Sequence, residues 1–240
     1  MIVANPWDKR AKTYDKNSGK LTKFQLDFLE LIKSWGVDFK EKSIIDVGCG
    51  TGNYTLHLAK ECKEILGVDS SEGMLNKLET KRQNLGLTNV STKCVSFDEF
   101  QTSKKFDIAF LTMSPAVRPD EFDKFINLAS LRVYLNWEIS RYSSVLSPLF
   151  TKLGKKSKTS DAFLLKEHLK AKNIAFKTKI LEEKRVESRE FNEALENAKW
   201  HLNISELEIS DDELIKYLKN LEKNGIISDE IVSTLRVLVF

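Results

Sequence analysis

The chain of 240 residues is long enough to bury a substantial core, and one α/β domain with a modest appendage is the usual solution at this length. Its hydrophobic content of 41% and charged content of 30% exclude a low-complexity or fibrous chain. Lys and Arg number 38 against 35 Asp and Glu, and this surplus of 3 is too small to indicate nucleic-acid binding by itself.

Strands alternate with helices through the first half of the chain. Apolar residues recur at helical spacing between Phe24 and Trp35, which predicts an amphipathic helix that ends at Gly36. The next predicted strands are 43–47, 64–68, 90–95, 106–112 and 131–137, and the predicted helices between them are 53–62, 71–85 and 119–129. This alternation predicts a parallel, doubly wound α/β sheet.

The pattern changes after Trp137. A Lys-rich segment, 152–158, predicts a solvated connection before a helix at 161–172 and a strand at 175–181. Two polar helices, 189–203 and 210–224, precede a last strand, 234–240, which is apolar enough to lie inside the sheet.

Cysteine content and hydropathy indicate the cellular compartment of the protein. Cys49, Cys62 and Cys94 are an odd number without CxxC spacing, so neither a disulfide framework nor a zinc site is predicted. No stretch approaches the roughly 18 apolar residues of a membrane span, and residues 1–12 lack the apolar core of a signal peptide. We therefore expect a cytoplasmic protein without a membrane partner, and the sequence leaves the oligomeric state open.

A glycine-rich loop, 48–52, joins the first predicted strand to the helix that follows. Glycine lets a ligand approach backbone that a Cβ would block, and N–H groups at the start of a helix can face that ligand. The dinucleotide-binding motif GxGxxG needs glycine where this chain has Asn53, which argues against NAD. Asp69 follows about twenty residues after the loop at the end of the next strand, where a carboxylate can accept the protons of ribose hydroxyls.

Residues 44–53 and 68–75 resemble the corresponding segments of the class I S-adenosylmethionine-dependent methyltransferases, and the resemblance spans about 46–137. It implies a mostly parallel seven-stranded sheet with helices on both faces, an antiparallel last strand and a helical insertion before that strand. It also implies S-adenosylmethionine as the cofactor, S-adenosylhomocysteine as the product, and no required metal.

The resemblance also implies roles for single residues. The loop would line the methionine part of the cofactor, Asp46 would order the loop, Asp69 would hold the ribose and Met74 would lie near the adenine. The other residues counted with the cofactor site are Gly48, Cys49, Gly50, Thr51, Gly52 and Ser70.

The residues expected to contact the adenine base and to cover the cofactor match the family less closely. Many family members have an acidic residue after the third strand that contacts the adenine amine, and Ser96 takes that place here, so Ser96, Phe97 or Asp98 could touch the base. In small-molecule members an aromatic residue before the first helix often covers the cofactor, and Tyr14, in the segment 7–15, is the candidate. Packing of one helix on another is the alternative interpretation for Tyr14 and for Trp7.

The acceptor should lie at the end of the fourth strand, because ligands of doubly wound sheets bind beyond the carboxyl ends of the strands. Met113, Ser114 and Pro115 are the candidates there, and Met113 would also border the cofactor. Methyltransferases of nucleic-acid base amines carry (Asp, Asn or Ser)-Pro-Pro-aromatic at this place, where Ala116 and Val117 fail the last two positions. A base would lack its stacking platform, and a simple turn is the alternative interpretation of Ser114-Pro115.

The second half of the chain adds two acceptor-site candidates. Arg141, between Trp137 and Tyr142 after the fifth strand, could pair with an acceptor carboxylate or phosphate, or make a surface salt bridge. His201 is either part of the acceptor pocket or an ordinary surface or packing histidine. His57 and His168 are interpreted as structural or exposed.

These observations predict one methyltransferase domain, 1–240. Its parts are N-terminal helices (1–36), a cofactor-binding core (43–137), a connection with a helix and a strand (138–188), a lid-like helical insertion (189–230) and the last strand (231–240). Because a lid would enclose a small pocket, we expect a small-molecule acceptor. The alternatives are a methyltransferase acting on RNA, DNA or protein, a non-catalytic S-adenosylmethionine-binding protein and, disfavoured by Asn53, a nicotinamide-dependent dehydrogenase.

Overall fold

The computed structural model describes residues 5–14, 20–156 and 158–240. Parts of the predicted segments 1–36 and 138–188, including Asp15 and Ser157, lie outside the described residues. Contacts within the chain define two compact units. The first unit consists of Met1–Asn136, Asp161–Lys179 and Arg236–Phe240, and the second of Trp137–Ser160 and Ile180–Leu235.

The described residues form helices and strands that are numbered here from α1 to β8. In chain order they are α1 (Pro6–Tyr14), α2 (Lys23–Ser34), β1 (Ser43–Val47), α3 (Asn53–Leu58), β2 (Glu64–Asp69), α4 (Glu72–Asn84), β3 (Val90–Cys94), β4 (Phe106–Thr112), a 3₁₀ helix (Pro119–Glu121), α5 (Phe122–Ile126), β5 (Ala129–Trp137), β6 (Tyr142–Ser143), α6 (Leu146–Lys152), α7 (Asp161–Ala171), β7 (Lys177–Glu190), α8 (Phe191–Ile204), α9 (Asp211–Leu221) and β8 (Ile226–Val239).

The strands form one sheet in the order β3-β2-β1-β4-β5-β8-β6, with β7 beside β8. The pairs from β3 to β5 are parallel. Arg132 and Phe240 exchange two backbone hydrogen bonds of 2.8 and 3.1 Å, which makes β8 antiparallel to β5. The predicted fold class is confirmed. The described part of the sheet has eight strands where the resemblance implies seven, because the two-residue strand β6 is added.

Helices cover both faces of the central strand β4. Phe110 packs against Phe28 of α2 and Tyr54 of α3, with ring centroids 6.1 and 5.4 Å apart. Ala109 and Leu111 point to the opposite face because successive strand side chains alternate. There they join a buried cluster that includes residues of α5 and α7. The sheet is thus covered on both sides, which is why its central strands read as continuous apolar runs.

The second unit has its own buried core. It is formed mainly by α6, α8 and α9, with the buried residues Val145, Leu146, Leu149, Ala194, Ala198, Leu202, Leu214, Leu218 and Ile227. Asp229 of β8 is only 2% exposed and accepts hydrogen bonds from the Ser143 hydroxyl at 2.7 Å and the Val145 N–H at 3.2 Å. This carboxylate fixes β8 to the start of α6.

Several elements differ from the predicted bounds. The last strand begins at Ile226, not at 231 or 234, because the polar residue Asp229 is satisfied inside the structure. Helix α6 was not predicted because it contains Pro148, but this proline lies in the first helical turn, where a missing N–H costs nothing. The predicted helix 119–129 is a 3₁₀ turn followed by α5, since Ala129 already belongs to β5. Among the described residues, no helix is both long and apolar enough to cross a membrane.

Candidate cofactor-binding site

A cavity of about 300 Å³ lies in the first unit. It is at the carboxyl ends of β1 to β4, where β1 is flanked by β2 on one side and β4 on the other. Open α/β sheets bind ligands at this switch point. Its wall contains these residues singled out in the sequence: Trp7, Tyr14, Asp46, Gly48, Cys49, Gly50, Thr51, Asp69, Ser70, Met74, Ser96, Phe97, Asp98, Met113, Ser114 and Pro115.

Backbone hydrogen bonds hold the glycine loop against the end of β2. The N–H of Gly48 donates to the carbonyl of Val68 at 2.8 Å, and the N–H of Gly50 donates to Oδ2 of Asp69 at 2.8 Å. Gly48 has φ of +70°, and a Cβ added to it would lie 1.9 Å from Oγ of Ser114. Only glycine therefore lets this loop approach the end of β4 so closely.

The resemblance counts Gly52 with the cofactor site, and the described residues that line the cavity do not include it. It precedes α3 with φ of +78°, and a Cβ there would lie 2.4 Å from Cγ of Leu78 in α4. Its geometry serves the packing of α3 on α4.

Asp69 presents a partly satisfied carboxylate to the cavity. Its Oδ1 accepts the N–H of Ser71 at 2.9 Å, and its Oδ2 accepts the N–H of Gly50 at 2.8 Å. Burial raises the pKa of Asp69, and these backbone hydrogen bonds oppose that rise. Since a carboxylate has about four acceptor sites, capacity remains for hydroxyl donors from a ligand.

Asp46 connects the two sides of the loop. It is 2% exposed, and its Oδ2 accepts the hydroxyl of Thr55 in α3 at 2.6 Å. Burial raises the pKa of Asp46 to about 7, while the Thr55 hydrogen bond acts in the opposite direction. The end of β1 and the middle of α3 are thereby joined across the glycines.

Helix α1 is anchored beside the cavity by Asp8. The carboxylate Oδ1 of Asp8 accepts the Ser71 hydroxyl at 2.6 Å and the Gly73 N–H at 2.9 Å. Trp7 and Tyr14, from the same helix, both line the cavity, and their rings meet edge to face at 6.1 Å. Both aromatic residues thus form part of the wall.

The loop after β3 forms another end of the cavity. Ser96, Phe97 and Asp98 line it, and the Ser96 hydroxyl donates to Oε2 of Glu99 at 3.0 Å. Lys124 of α5 donates to the carbonyl oxygens of Phe97 and, at 2.9 Å, of Asp98. These bonds fix the loop to α5.

The end of β4 turns sharply towards the cavity. Met113 has φ of +47°, which costs a residue with a side chain roughly 1–2 kcal/mol. Its N–H donates to the carbonyl of Leu135 at 2.7 Å, and Nδ2 of the buried Asn136 donates to the carbonyl of Ser114 at 2.8 Å. These two bonds hold the turn that brings Ser114 and Pro115 into the wall.

Some residues that line the cavity were not among the candidates that the sequence suggested. They are Gln25, Asn53, Tyr54, Val68, Val95, Thr112, Ala116, Arg118 and Glu121. Glu121 is 7% exposed, and its Oε2 accepts the N–H of Arg118 at 2.9 Å. No short motif marks Glu121 in the sequence, because a capping box needs Ser or Thr where this chain has Arg118.

Arg141 and His201 lie together in the second unit. Nη2 of Arg141 is 3.4 Å from Nε2 of His201, and the Trp200 ring meets the histidine ring edge to face at 4.8 Å. His168 belongs to the first unit, where its Nε2 lies 2.7 Å from Oδ1 of Asp123. The residues that line the cavity all come from the first unit.

The fold and the site define a doubly wound α/β protein with a cavity at the switch point of its sheet. Residues 44–131 match a family profile described as a methyltransferase domain. Two solved structures share the fold. Coclaurine N-methyltransferase, bound to N-methylheliamine and S-adenosylhomocysteine, has a TM-score of 0.52 and 17% identity, and the match covers 92% of this chain and 74% of that one. Magnesium protoporphyrin IX methyltransferase from Synechocystis has a TM-score of 0.51 and 13% identity, covering 95% and 93%. Residues 44–131 are therefore similar in sequence to methyltransferase domains, and the fold is that of the class I S-adenosylmethionine-dependent methyltransferases.

Similar sequences match only parts of the chain. An uncharacterized protein of Haemophilus influenzae is 28% identical over 140 residues, which are 57% of this chain and 51% of that protein. The 23S rRNA (uracil(1939)-C(5))-methyltransferase of Edwardsiella ictaluri is 30% identical over 98 residues, 39% of this chain and 22% of that enzyme. The match thus spans about half the length of the first relative and less than a quarter of the second.

Proposed function

We propose that this protein binds S-adenosylmethionine in the cavity of the first unit and transfers its methyl group to a small-molecule acceptor. The position of Asp69 is the observation that carries the proposal. Its carboxylate ends β2 in the cavity wall, and each oxygen already holds one backbone N–H. The remaining acceptor capacity fits the two adjacent hydroxyl groups of a ribose.

The rest of the wall fits the other parts of such a cofactor. Gly48 and Gly50 leave backbone next to the cavity without a Cβ, which suits an extended amino-acid chain. Met74 and Phe97 give apolar surface for a base, and Trp7 and Tyr14 add aromatic surface from α1. In this proposal Ser70 and Ser96 contribute polar groups at the ribose and base.

Bound S-adenosylmethionine supplies an activated methyl group, whose bond to sulfur breaks as the acceptor attacks, so that the electron pair stays on sulfur. The protein's part is to hold the acceptor in line, and positioning of this kind can supply much of the catalysis. Ser114 lies against Gly48 of the cofactor loop. Met113, Ser114 and Pro115 are therefore the residues that we assign to the border between cofactor and acceptor.

A small acceptor is favoured over a nucleic-acid base by the residues after Pro115. Ala116 lines the cavity and Val117 is fully buried, and neither offers the aromatic surface on which a base would stack. The predicted lid at 189–230, the acceptor roles of Arg141 and His201, and a cytoplasmic location belong to the same proposal. An RNA acceptor is the second candidate, because an rRNA methyltransferase is among the partial relatives.

Transfer of a labelled methyl group tests this function. The protein is incubated with methyl-labelled S-adenosylmethionine and a cell extract, which is then separated into metabolites, nucleic acid and protein. We expect label in the metabolite fraction, and much less with an Asp69→Ala control. Label only in RNA would replace the small-molecule acceptor with the second candidate, and absence of protein-dependent label would contradict methyl transfer.

A further inference from the structure

Asn53 is the residue that stands where a dinucleotide-binding loop needs glycine. It is the first residue of α3 and lines the cavity. Its side-chain Oδ1 accepts a hydrogen bond from Nζ of Lys81 at 3.2 Å. Within the described ranges of the chain, its Nδ2 donates no hydrogen bond. The amide of Asn53 therefore has donors available to a ligand in the cavity.

Lys81 of α4 determines the orientation of this amide. Its ammonium also donates to the carbonyl of Thr51 at 3.1 Å, so it is held at two residues of the cavity wall. Because an ammonium group only donates, the oxygen of the Asn53 amide must face Lys81 and the amide N–H₂ group must face away from it. A positive charge consequently lies beside a side chain that presents two N–H donors.

The glycine loop uses most of its own backbone donors within the fold. Four of its N–H groups already donate to oxygen atoms of Val68, Asp69 or Cys49, at 2.8 to 3.2 Å: those of Gly48, Cys49, Gly50 and Gly52. A ligand carboxylate that enters beside the loop therefore depends on side-chain donors. Asn53 is the side chain next to the loop that has them.

The other charges of the wall are less suited to a carboxylate. The charged residues among those that line the cavity are four acids and one cation: Asp46, Asp69, Asp98, Glu121 and Arg118. Nε of Arg118 lies 3.7 Å from a carboxylate oxygen of Asp120 and 3.6 Å from one of Glu121. The Arg118 charge is thus shared with two carboxylates, whereas the Lys81 ammonium donates to neutral oxygen atoms of Thr51 and Asn53. A ligand carboxylate is favoured at the Asn53–Lys81 pair.

We propose that the amide N–H₂ of Asn53, oriented by Lys81, donates to the carboxylate of the cofactor's amino-acid chain and so selects the cofactor over its decarboxylated form. The inference rests on the proposed function, because it assigns residues to the same cofactor. Asn53 contacts the ligand, and Lys81 is a positioning residue that acts through Asn53 and adds positive charge. A decarboxylated ligand leaves the Asn53 donors without an acceptor, and sites built to pair with one polar group discriminate strongly against a ligand that lacks it.

The test compares two ligands that differ only in this carboxylate. Dissociation constants for S-adenosylhomocysteine and its decarboxylated analogue, S-adenosyl-3-thiopropylamine, are measured by calorimetry on the wild type, Asn53→Asp, Lys81→Met and Lys60→Met. We expect the wild type to prefer S-adenosylhomocysteine by about 10- to 100-fold, the range for one hydrogen bond to a charged group. Asn53→Asp keeps an oxygen for Lys81 but places a second oxygen where the N–H₂ group was, so the preference should disappear or reverse. Lys81→Met should reduce the preference, whereas a purely structural role would weaken both ligands equally.

Lys60→Met is the matched control. It removes the same charge from an exposed residue just after α3, and it should keep the wild-type preference. An unchanged preference in Asn53→Asp would overturn the proposal, as would equal binding of the two ligands to the wild type, a result that needs no variant. Equal weakening of both ligands by Lys81→Met would overturn the positioning role of Lys81. If neither ligand binds the wild type, the proposed function fails instead, and the two failures are distinguishable.

Discussion

Gly48 and Ser114 are so close that a Cβ on Gly48 would lie 1.9 Å from Oγ and 2.6 Å from Cβ of Ser114. The first residue belongs to the loop after β1 and the second to the turn after β4. The loop assigned to the cofactor and the edge assigned to the acceptor are therefore in direct contact. A change in either one is transmitted to the other by steric contact.

Gly48→Ala should destabilise the protein and weaken binding of S-adenosylhomocysteine. The substitution forces a side chain into φ of +70°, at roughly 1–2 kcal/mol. Overpacking against Ser114 adds about 1–3 kcal/mol. Urea unfolding and calorimetry measure the two effects.

Gly86→Ala is the matched control for this prediction. Gly86 has φ of +64°, but no described atom would lie within 4 Å of its Cβ, so only the backbone cost applies. Adding Ser114→Gly to Gly48→Ala should recover part of the lost stability, because it removes the clashing atoms. Equal destabilisation by Gly48→Ala and Gly86→Ala would show that the contact with Ser114 is unimportant.

Asp8→Ala should loosen α1 and lower the affinity for the cofactor. The substitution removes the acceptor for the Ser71 hydroxyl and the Gly73 N–H, and Trp7 and Tyr14 depend on α1 for their places in the wall. We expect affinity for S-adenosylhomocysteine to fall about tenfold or more, as for one hydrogen bond to a charged group.

Calorimetry on Asp8→Ala and on the control Lys9→Ala shows whether affinity depends on the Asp8 hydrogen bonds or falls with any substitution in α1. Lys9 is exposed on the same helix and should leave the affinity unchanged. Identical affinities in both variants would mean that the Asp8 anchor does not serve cofactor binding.

Stability should depend on pH through Asp46. Burial raises its pKa from 3.8 to about 7, so the folded chain holds a proton that the unfolded chain releases between these values. The folded state binds more protons in this interval, and the free energy of unfolding therefore falls as pH rises through it. The full effect is on the order of a few kcal/mol.

Asp46→Asn should remove this dependence while its amide oxygen still accepts the Thr55 hydroxyl. Compared with the wild type, the variant should gain stability between about pH 4 and pH 8, as measured by urea unfolding. A stability difference that stays constant across that range would contradict a raised pKa at Asp46.

Much of the fold follows from local patterns. The bounds of β1 and β4 agree with the predicted strands because both are apolar runs between polar turns. The start of α3 follows directly from the glycine loop. Strand β8 was predicted too short because Asp229 reads as a loop residue in sequence, although Ser143 and Val145 satisfy it in the fold.

Only part of the candidate site is formed by residues that are close together in the sequence. The glycine loop and Asp69 are short motifs, so the sequence was sufficient to find them. Glu121 lines the wall from the 3₁₀ helix after β4, and the loop after β3 is held to α5 by Lys124, a contact made across 26 or 27 positions of the chain. Gly52 has the glycine spacing of the motif, but its neighbour Leu78 comes from another helix, and spacing alone does not reveal that contact.

Binding of S-adenosyl ligands to the carboxylate of Asp69 is the central claim. The direct measurement is calorimetric titration of the wild type and Asp69→Ala with S-adenosylmethionine, S-adenosylhomocysteine and NAD. We expect the wild type to bind the first two and not NAD, and Asp69→Ala to lose roughly 1.5–3 kcal/mol of binding free energy for each hydrogen bond to the ribose. No binding of either S-adenosyl ligand, or an unchanged affinity in Asp69→Ala, would contradict the claim.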